Sequence, residues 1–272
     1  MQRARLESLF AALPDIARRA GDAIMDIYRS DFAVRGKADD SPVTAADERA
    51  EELILADLAK LAPDIATVSE EAAARHGAPT LDAAASRLFW LIDPLDGTRE
   101  FVQRNGEFTV NIALIEGNLP VLGVVYAPAI DNGGDAMYVG AAGLGAFAGE
   151  GPLRRPITVR PVPAAGLTVL ASRSHGDEAA LQAFLQQRGE RVAAIERSGS
   201  SLKLCLLAAG KADLYPRIGR TMEWDIAAGH AILRAAGGSV ATLDGRELIY
   251  GKPGFENPHF VARGGAAGGT TC

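Results

Sequence analysis

Apolar residues recur at helical spacing through the first thirty positions. Leu6, Leu9, Phe10, Leu13, Ile16, Ala20, Ile24 and Ile27 predict an amphipathic helix over residues 2–30. Pro14 marks a start or a kink within it, because its ring and missing N–H interrupt a hydrogen-bond ladder. A polar loop is expected over 31–40. A second helix is predicted over 44–61 from Ala50, Leu53, Ile54, Leu58 and Leu61, with Pro63 just past its end. From Ile65 the pattern changes to short apolar runs. Those at 65–68 and 88–92 each end in acidic residues. Those at 108–115 and 121–126 flank Glu116-Gly117-Asn118, a hairpin signal. A second hairpin is expected from 136–139 and 145–148 around Gly143. The first half therefore reads as two helices against a mostly antiparallel sheet. The Pro-rich stretch 152–163 is the expected boundary. Beyond it, strands at 167–171, 192–195, 212–215, 239–242 and 259–262 alternate with helices at 177–188, 201–209 and 225–236. That alternation predicts an α/β layer. The expected organisation is an N-terminal α+β part (1–155), a C-terminal α/β part (156–263) and a disordered Gly/Ala/Thr tail (264–272).

Composition narrows the class. With 272 residues, 48% of them hydrophobic and 23% charged, the chain is globular, of about one or two domains. Its 34 acidic and 28 basic residues leave a formal charge of −6, which argues against a nucleic-acid polymer as partner. A small anionic substrate stays open, because bound cations can reverse a local field. The two cysteines, Cys205 in an apolar run and Cys272 at the last position, predict no structural disulfide and a reducing, cytoplasmic setting. No uncharged stretch is long enough for a membrane span, since Pro or Gly interrupts the longest ones. The N-terminal residues are charged throughout and lack the apolar core of a signal peptide. Peripheral contact with an inner membrane is left open. His76, His175, His230 and His259 have no paired ligand spacing, and His230 reads as a packing residue. There is no G-x-S-x-G elbow, Walker A or G-x-G-x-x-G pattern.

The most informative stretch is Trp90-Leu-Ile-Asp93-Pro-Leu-Asp96-Gly97-Thr98-Arg-Glu100-Phe101. An apolar strand delivers two carboxylates into a turn that Pro94 stiffens and Gly97 lets bend. Such a turn can aim both carboxylates and a backbone carbonyl at one point, a hard-oxygen set suited to Mg²⁺. A helix beginning near Thr98 would seat a phosphate on its N–H groups. Taken alone, the same pattern is an Asx turn capping a helix. Glu70 and Glu71 end a short strand, Asp225 opens a helix in Glu223-Trp224-Asp225, and Asp47 lies near the start of the second helix. Asp225 and Asp47 are each also explained as a simple helix-start charge. Converging, they would repel one another unless cations were bound, and two divalent ions would satisfy them. Ser198-Gly199-Ser200-Ser201-Leu202-Lys203, just before a helix, offers N–H groups and hydroxyls to an anion, or is a plain helix cap.

Asp93-Pro-Leu-Asp-Gly-Thr98 and Glu223-Trp-Asp225-Ile-Ala-Ala-Gly-His230 resemble the two signatures of the magnesium-dependent, lithium-sensitive phosphatases of the inositol monophosphatase superfamily. The order and spacing of Asp47, Glu70, Asp93, Asp96 and Asp225 fit as well, and the similarity covers about residues 5–263. Within the superfamily the chain is most similar to the CysQ-type 3′(2′),5′-bisphosphate nucleotidases. The stretches 96–113, Ser172-Arg-Ser-His175, 199–203 and 214–217 carry that likeness. Glu100 stands where inositol monophosphatases have Asn, and Pro216-Arg217 where they have a sugar-binding Glu. An Arg suits a second phosphate through paired N–H donors.

The resemblance implies a layered αβαβα sandwich of the sugar-phosphatase type, with two or more Mg²⁺ per site. It implies that Glu70, Asp93 and the Leu95 carbonyl hold one ion, and Asp93, Asp96 and Asp225 a second. Glu71 is a candidate for a more weakly held one. Asp47 and Thr98 would be the catalytic pair that orients and deprotonates water. The substrate would meet Glu70, Leu95, Asp96, Gly97, Thr98 and Asp225 at the scissile phosphate, and Ser200, Ser201 and Arg217 beyond it. The implied reaction is hydrolysis of the 3′-phosphate of 3′-phosphoadenosine 5′-phosphate to AMP and phosphate, in sulfate assimilation, by a monomer or homodimer. The alternatives are an inositol-1-phosphate or fructose-1,6-bisphosphate phosphatase, and a non-catalytic protein that kept the fold.

Overall fold

A computed structural model describes residues 1–30, 34–36, 42–81, 87–130, 134–173 and 177–265. The predicted helical stripe forms α1 (Arg3–Tyr28), which buries Leu6, Leu9, Leu13, Ile16, Ala20 and Ile24. Pro14 lies inside α1 and does not end it, since the buried stripe continues on both sides. The segment read as a polar loop contains a strand, β1 (Val34–Gly36), antiparallel to β2 (Pro42–Thr44). The rest of 31–40 lies outside the described residues, as do 266–272 of the expected tail and Ser174-His175 of the quoted motif. α2 (Ala45–Leu61) follows β2 directly, with Asp47 and Glu48 in its first turn, where the helix dipole favours negative charge.

β3 (Ala66–Ser69) leads into α3 (Glu70–His76), so Glu70 and Glu71 open a short helix rather than end a strand. β4 (Leu88–Asp96) leads through Gly97 into α4 (Thr98–Val102). The two predicted hairpins are β5 (Thr109–Glu116) with β6 (Leu119–Ala127), and β7 (Ala136–Ala141) with β8 (Gly145–Ala148). With β9 (Arg155–Ile157), these strands form a seven-stranded sheet in sequence order. Only the β3–β4 pair in it is parallel.

The second half supplies β10 (Leu167–Ser172), α5 (Glu178–Arg188), β11 (Val192–Ser198), α6 (Leu202–Ala208) and β12 (Leu214–Arg217). α7 (Glu223–Ala235), β13 (Ser239–Thr242) and β14 (Phe260–Arg263) complete it. Its five strands run in the order β11-β10-β12-β14-β13. α7 starts two residues before the predicted helix, so Asp225 is its third residue and not its cap.

Three hydrophobic cores hold five layers together, the central one lying on both sides of the middle helices. α1 and α2 cover one face of the larger sheet through Trp90, Ile92, Ile112, Leu114 and Val124. The other face, through Phe89, Leu91, Ala113 and Val125, packs on α6 and α7, which also meet Tyr215, Phe260 and Ala262 of the smaller sheet. α5 covers the outer face of that sheet with Leu181, Phe184 and Leu185. The layering is αβαβα, as the resemblance implies. β9 ends at Ile157 and β10 begins at Leu167, and the central core draws side chains from both sides of that stretch. One close approach matters for the site. A Cβ on Gly123 of β6 would lie 2.4 Å from the Ala228 carbonyl oxygen. Glycine there lets α7, which carries Asp225, rest directly on the sheet that carries Asp93.

Candidate active site

The end of β4 is irregular in a way that sets the chemistry. Asp93 pairs with Asn111 and Asp96 with Thr109, so three steps on β4 oppose two on β5. In a regular strand, residues three apart face opposite sides. The extra residue of a bulge cancels that half-turn, and both carboxylates turn towards the same cleft. The Leu95 amide donates to Asp93 Oδ1 at 3.1 Å, which closes the turn. Gly97 then takes a left-handed conformation (φ 90°), and a Cβ there would press within 3.1 Å of the Glu107 carbonyl oxygen.

Other elements bring in the remaining acids. Ser69 pairs with Ile92 across the parallel β3–β4 ladder, which sets Glu70 beside the end of β4. Buried Glu51 of α2 fixes that approach, accepting from the Ser69 hydroxyl and from the Ala72 amide and pairing with Arg75. Asp225 reaches in from α7, where its Oδ2 accepts from the Met222 amide at 2.9 Å. Carboxylate oxygens of Glu70, Asp93 and Asp225 lie within 4.8 Å of one another. Asp47, buried in the first turn of α2, adds its charge to the field at Asp93.

Burial holds the Asp93 carboxyl well above the usual carboxylate range, and Glu70, Asp96, Asp225 and Asp47 push it further. Burial, Asp96 and Glu70 raise Asp225. Burial also raises Asp96, against the opposing pull of Lys203 and the Ser201 hydroxyl. A cluster of hard carboxylate oxygens that resists full ionisation fits divalent cations with oxygen preference, which would relieve the repulsion.

The same cleft, about 240 Å³ in volume, is lined by Glu70, Asp96, Gly97, Thr98 and Asp225 on one side. Ser200, Ser201, Lys203 and Arg217 face them. Every sequence-derived site residue except Asp47, Glu71, Asp93 and Leu95 lines it directly, and those four are buried. Two placements refine the expectations. The Thr98 hydroxyl donates to the Leu95 carbonyl at 3.3 Å. The Ser201 hydroxyl is built into the frame, accepting from Asn111 at 2.9 Å and lying 2.9 Å from Asp96 Oδ2 and against the Asp225 carbonyl.

Lys203 was missed as a site residue. It lies in an apolar helical run that gives no sign of a functional amine. It is buried, its Nζ donates to the Ser198 carbonyl at 3.1 Å and to the Ser200 carbonyl, and it stands 5.3 Å over the Tyr215 ring. Burial lowers it to about 8, with Asp96 opposing and nearby Arg217 reinforcing. Cys205, also buried, has its thiol pushed up by desolvation and takes no part. His230 is buried and bonded to the Tyr250 hydroxyl at 2.9 Å, the packing role its sequence setting suggested. Among the described residues, no helix is long and apolar enough to cross a membrane.

A layered sandwich whose strand ends and helix starts converge on an acidic cluster is the architecture of a sugar-phosphatase fold, and residues 5–267 match the inositol monophosphatase family. The chain belongs to that family. It is 49% identical over 249 residues to the 3′(2′),5′-bisphosphate nucleotidase CysQ of Salmonella typhimurium, covering 90% of this chain and 95% of that protein. The crystal structure of CysQ from Bacteroides thetaiotaomicron superposes with a TM-score of 0.76 at 35% identity, covering 96% of this chain and 97% of the other. An inositol monophosphatase from Anabaena gives 0.73 at 26% identity, covering 97% and 93%.

Proposed function

We propose that the chain is a Mg²⁺-dependent 3′(2′),5′-bisphosphate nucleotidase that releases the 3′-phosphate of 3′-phosphoadenosine 5′-phosphate, giving AMP and phosphate in the reducing cytoplasm. The observation that carries this reading is the polarity of one cleft. Carboxylates converge on one side, and two cations, Lys203 and Arg217, lie close enough on the other to repel each other. A substrate with one phosphate to cleave and a second to hold matches both sides. The likeness to CysQ nucleotidases over nearly the whole chain supports the same substrate.

Glu70, Asp93 and the Leu95 carbonyl would hold one ion, and Asp93, Asp96 and Asp225 a second. Bound there, divalent cations supply Lewis-acid polarisation of phosphoryl oxygens and acidify water. Glu71, buried next to Glu70, is the candidate for a weaker third position. Gly97 and Thr98 N–H groups at the start of α4 would face the scissile phosphate. The Thr98 O–H, which donates to the Leu95 carbonyl, would turn to donate to Asp47, leaving the Thr98 oxygen to accept the proton of the attacking water as its own passes to Asp47. Ser200, Lys203 and Arg217 would hold the second phosphate, the guanidinium by paired donors. Ser201 would act mainly by fixing Asp96.

Phosphate release from 3′-phosphoadenosine 5′-phosphate, inositol 1-phosphate and fructose 1,6-bisphosphate, compared with and without chelator, tests the reading. Preference for the nucleotide that disappears on chelation is expected. Preference for either sugar phosphate would overturn the substrate assignment while keeping the acidic site.

A further inference from the structure

The turn that carries Ser200 is gripped at both ends by the other half of the molecule. At one end, the Ser201 hydroxyl is fixed by Asn111 and Asp96. At the other, Glu107, in the stretch between α4 and β5, accepts from the Gly199 amide through Oε2 at 2.7 Å. Both oxygens of Glu107 also receive Arg173, Nε at 2.7 Å and Nη2 at 2.7 Å, a two-pronged pair. Arg173 follows the end of β10, and it donates onward to the Arg197 carbonyl at 3.1 Å and, through its own amide, to the Ser198 carbonyl at 3.3 Å. The approach is tight. A Cβ at position 199 would lie 2.9 Å from both the Cβ and the carbonyl oxygen of Glu107.

Between the two grips Ser200 is held at φ +42°, a left-handed conformation that a serine rarely adopts. Its hydroxyl is buried, has no hydrogen-bond partner and lines the cleft. Non-glycine residues keep such conformations only where their surroundings impose them. The Ser200 carbonyl also receives the Lys203 ammonium, so the placement of the turn fixes that amine too. Glu107 does not line the cleft, and three donors already occupy its oxygens.

We propose that Glu107 is a positioning residue: by clamping the Gly199 amide it holds Ser200 and Lys203 towards the cleft, and so sets affinity for the phosphate that is kept rather than the rate at which the other is cleaved. This rests on the bisphosphate reading given above. The split follows from the two grips. Loss of Glu107 lets the Ser200 end of the turn relax, while Asn111 and Asp96 still hold the Ser201 end next to the carboxylates.

The test compares adenosine 3′,5′-bisphosphate with adenosine 3′-monophosphate, which lacks the second phosphate, in wild type, Glu107→Ala and Glu107→Gln. Glu107→Ala is expected to raise KM for the bisphosphate about 10- to 100-fold with kcat within about 3-fold, and to leave KM for the monophosphate within about 3-fold. Glu107→Gln keeps an acceptor oxygen for the Gly199 amide and should recover much of the loss. Calorimetric binding of AMP to chelated protein should weaken in step with KM, a readout independent of turnover. If Glu107→Ala does not fold, Glu107→Gln and Arg173→Lys are expected to show smaller shifts in the same direction. An equal fall in kcat on both substrates, or an unchanged KM for the bisphosphate, overturns the inference. Wild-type protein with no advantage for the bisphosphate over the monophosphate overturns the bisphosphate reading itself, and the inference with it.

Discussion

Replacing Asp93 by Asn should stabilise the metal-free protein while abolishing its activity. Asp93 is 1% exposed and its carboxylate has oxygens of Glu70 and Asp225 within 4.8 Å. Two full charges at that distance repel by about 3.5 kcal/mol at an effective dielectric of about 20. The cluster escapes part of this by binding protons, so the net gain at pH 8 is about 2 kcal/mol. For a chain of this size that raises Tm by roughly 4–8 °C. The substitution costs little locally, because an Asn side chain keeps the acceptor for the Leu95 amide. The pH dependence has a definite sign. The folded-state affinities of Asp93, Asp96 and Asp225 for protons are raised, so the folded protein binds more protons than the unfolded chain above the ordinary carboxylate range. Stability of the metal-free wild type therefore falls as pH rises from about 4 through these raised values. The advantage of Asn over Asp is absent near pH 4 and fullest at pH 8. Thermal unfolding followed by circular dichroism, in chelator at both pH values and again with excess Mg²⁺, measures it. An Asp93→Asn protein that melts at or below the wild type at pH 8 without metal would refute the electrostatic account of the cluster. With Mg²⁺ present the ordering should reverse, since the wild type gains a ligand-linked increment that the variant loses.

Asp96→Asn should lower kcat by at least about 100-fold without lowering Tm in chelator, measured by phosphate release and thermal melting; near-normal turnover would sink its role as a ligand. Lys203→Met should raise KM for the bisphosphate by about 10-fold or more with a smaller effect on kcat. With the amine lowered to about 8, affinity of the wild type for AMP should fall as pH rises through that value, and the variant should lose this dependence. Gly123→Ala should destabilise by about 2–4 kcal/mol, because its Cβ would overlap the Ala228 backbone; denaturant unfolding at wild-type midpoint would contradict the packing of α7 on β6.

Much of this protein is legible in its sequence because much of it is local. The α1 stripe, the two hairpins and the β/α alternation after residue 160 are periodicities, and periodicity follows from which face an element must bury. The acid turn at 93–98 is also local, since Pro94 and Gly97 fix its bend whatever surrounds it. The short strands β1, β2 and β9 were not legible, because three residues carry too little pattern to stand out from a loop.

The tertiary structure decided the rest. Residues three apart on β4 share a cleft only because β5 accepts a bulge, which is a property of the pairing and not of either strand. Asp47, Glu70, Asp93 and Asp225 lie on four different elements, and their convergence, with the raised proton affinities of Asp93 and Asp225, exists only once those elements pack. Lys203 reads as one charge on an apolar helix until the fold buries it opposite Asp96. Glu107 reads as a loop acid until it meets Gly199, ninety-two positions away. Sequence determines what each segment can be, because that is a matter of local sterics and burial. Which charges meet, and therefore what they can do, is decided by contacts between segments that no local pattern encodes.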